Sequence, residues 1–233
     1  TVKEMLAAIL RRQFGEAAVL ATAGNFNNHI GLPLTLLALR PQQRYAVIEM
    51  GMNHFGELDA LTRIARPDAA LVNNALRAHI GCGFDGVGDI ARAKSEIYRG
   101  LPESGTALIP AEDEYAEVFR AACRALSLRQ IEFGVDKGEV HAENVRLLPL
   151  GCRFDLVWQN QRAAVELPVP GKHNVANAVA AAALALQAGV GLPESADALA
   201  GFANIKGRLQ RKAGLRGSTI IDDTYNANPD SMK

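Results

Sequence analysis

Tyr45-Ala46-Val47-Ile48-Glu49-Met50-Gly51-Met52-Asn53-His54-Phe55-Gly56-Glu57-Leu58-Asp59-Ala60-Leu61 is the stretch that decides the fold. Its apolar opening, 45–50, reads as a buried strand that runs into a polar, glycine-punctuated loop. A helix is predicted over 57–65, stopped by Arg66-Pro67. The same unit recurs on either side. Upstream come a strand at 17–22, a polar loop at 23–29, and a helix at 30–39 with Pro33 in its first turn, where a missing N–H costs little. Downstream come a strand at 69–73, a polar loop holding His79, and a helix at 89–101. A strand at 106–109, a helix at 114–126 and a strand at 130–133 continue the series. Strands alternating with helices of about ten residues predict an α/β fold, a mostly parallel sheet flanked by helices.

The pattern then changes. Three consecutive strands, 141–148, 151–159 and 162–169, predict an appended antiparallel meander. Strong helical stretches follow at 174–188 and 194–202. At the start of the chain, Val2, Met5, Leu6, Ile9 and Leu10 fall on one helical face, and Gly15 fits the C-cap. Residues 204–217 are basic and glycine-punctuated, with Lys206, Arg208, Arg211, Lys212 and Arg216, and read as a linker. Residues 218–222 read as the first strand of a further domain, and 230–233 as a helix barely begun. The expected organisation is one domain over 1–203, a linker over 204–217, and the opening of a second domain over 218–233. Both ends look cut, as in a fragment of a longer protein.

Composition narrows the classes. The chain has 233 residues, with 25 basic and 25 acidic side chains, 48% hydrophobic residues and 21% charged. That is a globular composition able to build a core unaided. Neutrality and a pI near 6.9 leave no electrostatic footprint for nucleic acid. The most apolar stretch, 178–188, is too short for a membrane span. Cys82, Cys123 and Cys152 are scattered, so they form neither a disulfide framework nor a zinc site. A reducing cytoplasm is the simplest compartment.

In an open parallel sheet, ligands bind beyond the carboxyl ends of the strands. Three strands end there in polar loops: Thr22, Asn25, Asn27 and Asn28; then Glu49, Asn53 and His54; then Asn73, Asn74 and His79. Amides, a carboxylate and imidazoles at one edge suit a charged, many-oxygen ligand with a divalent cation. Glu49 ends an apolar run, where a carboxylate is costly unless paired or metal-bound. Lys94 falls inside the apolar stripe Ile90, Ala93, Ile97, Tyr98 and Leu101, while Arg92, Ser95, Glu96 and Arg99 lie off it and read as solvated. A lysine there must snorkel, pair or lose its charge, and a neutral buried amine can capture carbon dioxide as a carbamate. Pro170-Gly171-Lys172-His173-Asn174-Val175-Ala176-Asn177 opens the strongest helix. Asn174 fits its N-cap, with His173 and Asn177 beside it. Asp222-Asp223 follow an apolar strand and fit either ribose hydroxyls or a turn. No Gly-x-Ser-x-Gly is present.

Taken in order, six motifs resemble the Mur ligases of peptidoglycan synthesis. They are Thr22-Ala23-Gly24-Asn25-Phe26-Asn27-Asn28-His29-Ile30-Gly31; Ile48-Glu49-Met50-Gly51-Met52-Asn53-His54-Phe55-Gly56-Glu57; Asn73-Asn74 with Ala78-His79; Ala93-Lys94-Ser95-Glu96-Ile97; the Pro170–Ala178 helix start (170–178); and Asp222-Asp223-Thr224-Tyr225-Asn226-Ala227-Asn228-Pro229. The resemblance spans the chain. It implies the central, phosphate-loop type domain of an ATP-dependent amide ligase, and within the family the member that joins D-Ala-D-Ala to UDP-MurNAc-tripeptide. Thr1 matches the last residue of the family's phosphate loop, whose glycines and lysine this chain lacks. The fragment alone is therefore expected to be inactive.

The resemblance also implies residue roles. Thr1 and Glu49 would bind one Mg²⁺, and His79 with an N-carboxylated Lys94 a second. His173, Asn174 and Asn177 would form the adenine site, with Arg208 reaching the nucleotide and Asp223 its ribose. Asn25, Asn28, Asn53 and His54 would line the acceptor side. The implied partners are the two substrates and the missing N- and C-terminal domains of the same chain, in a cytoplasmic monomer. One departure is visible: after His79 the chain reads Ile80-Gly81-Cys82-Gly83-Phe84-Asp85, where the family more often has His-Leu-Glu and a Gly-Phe-Gly turn. Two rival readings are a sister ligase, such as a folylpolyglutamate or other muramyl ligase, and a domain that only binds a nucleotide or a partner.

Overall fold

A computed structural model describes residues 1–77, 83–203, 207–208 and 210–224. His79, Lys206 and the 225–229 part of the last motif lie outside the described residues, as does the helix expected at 230–233. In chain order the elements are α1 (Val2–Phe14), β1 (Val19–Ala21), α2 (Gly31–Leu37), β2 (Tyr45–Val47), α3 (Glu57–Ala65) and β3 (Ala69–Leu71). Next come α4 (Val87–Ser95), β4 (Thr106–Pro110), α5 (Ala116–Ala125), β5 (Arg129–Phe133), β6 (Val140–Leu148), β7 (Gly151–Trp158) and β8 (Gln161–Leu167). Then follow α6 (Lys172–Gln187), α7 (Leu192–Ala200), β9 (Gln210–Ala213) and β10 (Thr219–Asp222).

The expected alternation is present. Strands β3, β4 and β5 pair in parallel, and β5 meets β6 in parallel at Phe133 and Val140. The meander β6-β7-β8 extends the same sheet in antiparallel register. Strands β1 and β2 form their own parallel pair, Val19 to Tyr45 through Ala21 to Val47.

At β4 the parallel part of the six-stranded sheet is covered on both faces. Every residue of β4 is buried. Its side chains alternate: Leu108 enters one core with α1, α6 and α7, while Ala107 and Ile109 enter another with Phe119, Cys123 and Tyr98. Helix α6 is buried along Val175 and Ala178–Ala183 (178–183), and its alanines let α1 and α7 pack closely on it. A third, smaller core joins α2, α3 and α4 through Leu32, Leu58, Leu61, Ile90 and Ala93, together with Met52 and Phe84 from the loops. Among the described residues, no helix is long and apolar enough to cross a membrane.

The structure corrects three local readings. The helix expected at 89–101 is α4 followed by a tighter 3-10 turn at Glu96–Gly100. The segment read as linker holds β9, which pairs antiparallel with β10. Gly171, not Asn174, is the N-cap of α6, with φ 102°. By contrast Gly15 ends α1 as expected, its N–H donating to Arg11 O at 2.8 Å.

The first polar loop packs directly onto α2. A Cβ on Gly31 would lie 2.4 Å from Phe26 Cα. The Gly31→Ala substitution is therefore expected to destabilise the fold by about 1–3 kcal/mol through overpacking, read from its urea-unfolding midpoint.

Candidate functional site

The parallel pair β1–β2 brings the first two loops together. Glu49 lies two residues past β2, half-buried. Its N–H donates to Thr22 Oγ1 at 2.9 Å, and its Oε1 accepts Asn27 Nδ2 at 3.0 Å. Asn27 O in turn accepts the N–H of Gly51 at 2.8 Å. Thr22 is 2% exposed, and its carbonyl accepts Lys3 Nζ at 2.6 Å. The carboxylate is thus oriented by an amide and by backbone fixed to a buried hydroxyl. Thr1 opens α1, its carbonyl accepting Met5 N–H at 3.0 Å, and α1 is tied to the Glu49 strand end through Lys3.

Lys94 is carried on α4 with an interior amine. Nζ donates to Asn74 O, in the third loop, at 2.6 Å. Burial lowers its pKa below the ordinary 10.5, and the nearby Asp113 partly restores it. Of the outcomes open to a lysine on an apolar stripe, the structure shows pairing, here with a backbone carbonyl. Asp113 itself was not legible as a site residue. Its Oδ2 accepts Ala75 N–H at 2.7 Å and its Oδ1 accepts Tyr115 N–H at 2.8 Å, so it pins the third loop to the start of α5. The available signal was its position just after β4, at the edge where the other polar loops emerge.

The start of α6 holds a row of amides. Asn174, 5% exposed, donates from Nδ2 to Pro170 O at 2.7 Å. Asn177 Nδ2 donates to Asn174 Oδ1 at 3.3 Å, and Asn73 Nδ2 donates to Asn177 Oδ1 at 3.4 Å. The third loop and α6 therefore meet. His173 lies close enough to Asp223 and Arg208 to feel both charges. Asp222 is drawn elsewhere: Lys212 Nζ at 2.5 Å and the Thr224 hydroxyl at 2.7 Å hold its carboxyl down at about 2.

The second loop is shaped by Glu57. Its Oε2 accepts the N–H groups of Asn53 and His54 at 2.6 and 3.3 Å, and its Oε1 lies 3.2 Å from His54 Nδ1. These donors, the Asn53 N–H first, lower the Glu57 pKa. Asn28 Oδ1 accepts Ile30 and Gly31 N–H at 3.1 and 2.9 Å, at the entry to α2. Asn25 is exposed on the same loop.

Oxygen donors at Glu49 and Thr1 match the preference of a hard divalent cation, and the buried Lys94 amine matches the chemistry of carbamate formation. Among the described residues, no group of three or more His, Cys, Asp or Glu side chains gathers as a metal site by itself. A Mg²⁺ here would draw its remaining oxygens from phosphate and water, as Mg²⁺ commonly does.

Fold and loops together define an α/β domain with polar loops gathered at one edge of its parallel strands. Residues 1–185 match the model of the Mur ligase middle domain, and the chain belongs to the Mur ligase family. It is 41% identical over 233 residues to the UDP-N-acetylmuramoyl-tripeptide–D-alanyl-D-alanine ligase of Haemophilus influenzae, covering all of this chain and 50% of that protein. A crystal structure of MurF from Acinetobacter baumannii superposes with TM-score 0.92 at 42% identity, over 99% of this chain and 49% of that one. The MurF ligase of Thermotoga maritima in complex with ADP shares the fold, with TM-score 0.83 at 24% identity over 99% of this chain and 52% of that one. The chain spans about half the length of the curated relatives it matches.

Burial lowers the His173 pKa below its ordinary 6.5, with Asp223 opposing and Arg208 assisting. The stability contributed by the neutral imidazole is complete above the unfolded value and is lost as pH falls through the folded one. A proton NMR titration of His173 is expected to show a midpoint below 6.5, and His173→Gln to flatten the acid limb of the stability profile. A midpoint above 6.5 contradicts this.

Proposed function

We propose that this chain is the central part of an ATP-dependent ligase that joins D-Ala-D-Ala to UDP-MurNAc-tripeptide in peptidoglycan precursor synthesis. The observation that carries the reading is end-to-end similarity, 41% over 233 residues, to a protein bearing that name. The convergence of polar loops at one sheet edge supports it, as does the ADP held by the Thermotoga maritima neighbour.

In the proposed reaction the tripeptide's terminal carboxylate attacks the γ-phosphorus of ATP, forming an acyl phosphate and releasing ADP. The amine of D-Ala-D-Ala attacks the acyl carbon, and the tetrahedral intermediate expels phosphate. Glu49 and Thr1 would hold one Mg²⁺, and His79 with N-carboxylated Lys94 a second. When bound, the metal supplies neutralisation of the crowded phosphate and carboxylate oxygens. His173, Asn174 and Asn177 would receive the adenine, Arg208 the nucleotide and Asp223 the ribose. Asn25, Asn28, Asn53 and His54 would line the acceptor side. Asn27 and Thr22 orient Glu49, and preorganised groups of this kind supply most of the acceleration in such reactions. The phosphate cradle, the UDP-binding part and the rest of the second domain would come from the same polypeptide, a cytoplasmic monomer with no nucleic-acid partner. The domain division at 1–203, 204–217 and 218–233 belongs to this reading, with β9 of the middle segment paired to β10 of the last.

The test is phosphate release from ATP by the full-length parent with UDP-MurNAc-tripeptide, with and without D-Ala-D-Ala. Release that requires the dipeptide supports the reading. Release that responds to another amine or amino acid moves the protein to a sister ligase, and no release with any amine leaves a binding domain. The 233-residue chain alone is expected to release none.

In the parent, Glu49→Gln and Lys94→Ala are each expected to lower kcat by about 100-fold or more, with little change in melting temperature. Added acetate should partly restore Lys94→Ala if a carboxylate on Lys94 is the working group. Unchanged kcat in both variants contradicts these roles.

A further inference from the structure

Glu96 follows Lys94 by two residues and is only 6% exposed. Both of its oxygens accept the same N–H, that of Gly56, at 3.0 and 2.9 Å. Gly56 closes the loop that carries Asn53 and His54 and caps α3 in the left-handed region, φ 83°. A buried carboxylate is an expensive way to satisfy one helix N-terminus, because a local Ser or Asp would suffice. What it adds is a connection between segments 40 residues apart.

The second loop has two attachments. Glu57 fixes its internal shape through Asn53 and His54. Glu96 fixes its place against the element that bears Lys94. Phe55 lies edge-on to Phe84, with ring centroids 5.1 Å apart, and Phe84 is buried in the core that includes Ile90 and Ala93 of α4. The positive end of α3 favours an anion at Glu96. Glu96 opens the 3-10 turn that continues α4, so its side chain leaves on a different side from that of Lys94. Accordingly Lys94 reaches Asn74, and Glu96 reaches the second loop.

We infer that Glu96 is a positioning residue that sets the acceptor loop, with Asn53 and His54, at a fixed distance from Lys94. This rests on the ligase reading above, in which Lys94 serves the activated carboxylate and the loop serves the incoming amine. The two sides of the amide-forming step would then share one rigid element, so that the amine is delivered where the acyl phosphate forms.

The experiment uses the full-length parent with Glu96→Ala, Glu96→Gln and Glu96→Asp. Steady-state constants are measured for ATP, UDP-MurNAc-tripeptide and D-Ala-D-Ala, and hydrogen exchange is followed over residues 51–56. Glu96→Ala is expected to raise KM for the dipeptide on the order of 10-fold, leave KM for ATP unchanged, and speed exchange in the loop. Glu96→Gln, which keeps an acceptor for Gly56, should restore most of both. Glu96→Asp keeps the charge but withdraws it by one methylene, so it should resemble Glu96→Ala, and it serves if the alanine variant does not fold. Equal rises in all three KM values, or an unchanged dipeptide KM in a folded Ala or Asp variant, overturn the proposal. If the wild-type parent ignores the dipeptide, the ligase reading fails instead. Loop exchange then decides the strut by itself: faster exchange in Glu96→Ala upholds the connection, and unchanged exchange removes it.

Discussion

A half-buried carboxylate two residues past a strand end needs donors, and several segments of the chain meet around Glu49. Its backbone N–H goes to Thr22 and its carboxyl takes the Asn27 amide. The Thr22 carbonyl takes Lys3 of α1, and the Asn27 carbonyl takes Gly51. One helix and two loops therefore converge on this residue, and the carboxyl itself is oriented by the Asn27 amide. Parallel pairing of β1 with β2 makes this possible, because it delivers both loops to the same edge. Gly31 and Gly51 add a steric condition, since a Cβ would meet Phe26 at 2.4 Å and Asn27 at 3.1 Å respectively.

Lys94 poses the opposite problem, a cation in the interior. The Asn74 carbonyl gives it one acceptor, and Asp113 gives it charge compensation without a direct pair. In the proposed carbamate form, Nζ keeps one hydrogen, so the bond to Asn74 O survives. The new anion would then face the negative charge of Asp113. That arrangement is tolerable only with cations present, so the chemistry proposed for Lys94 and the need for a divalent ion are one condition seen from two sides.

What could be read in advance follows from where the information lies. Helix α3 matches its expected bounds, 57–65, because a left-handed glycine before it and Arg66-Pro67 after it are local signals. The burial of Lys94 was legible because helical periodicity assigns faces. Asn174 misled as an N-cap because Asn is a good cap by type. The neighbouring Gly171 takes φ 102° instead, which leaves Asn174 inside the first turn. Strand β9 was hidden in a basic, glycine-punctuated stretch whose strand character depends on its pairing with β10. Asp113 and Glu96 were opaque for a deeper reason. Each acts on residues 38 or 40 positions away, and no spacing rule reaches that far.

The amides at the head of α6 show how tertiary contact converts residue type into direction. An asparagine side chain presents a donor and an acceptor that can be exchanged by a simple flip. Pro170 O can only accept, so Asn174 must turn its NH₂ toward it and its oxygen toward Asn177. Asn177 must then offer its own oxygen to Asn73. A single carbonyl thereby orients three side chains from two distant parts of the chain. A ligand arriving at this edge would meet dipoles already aligned, and preorganised dipoles do not have to reorient when charge or hydrogen-bonding groups are presented to them.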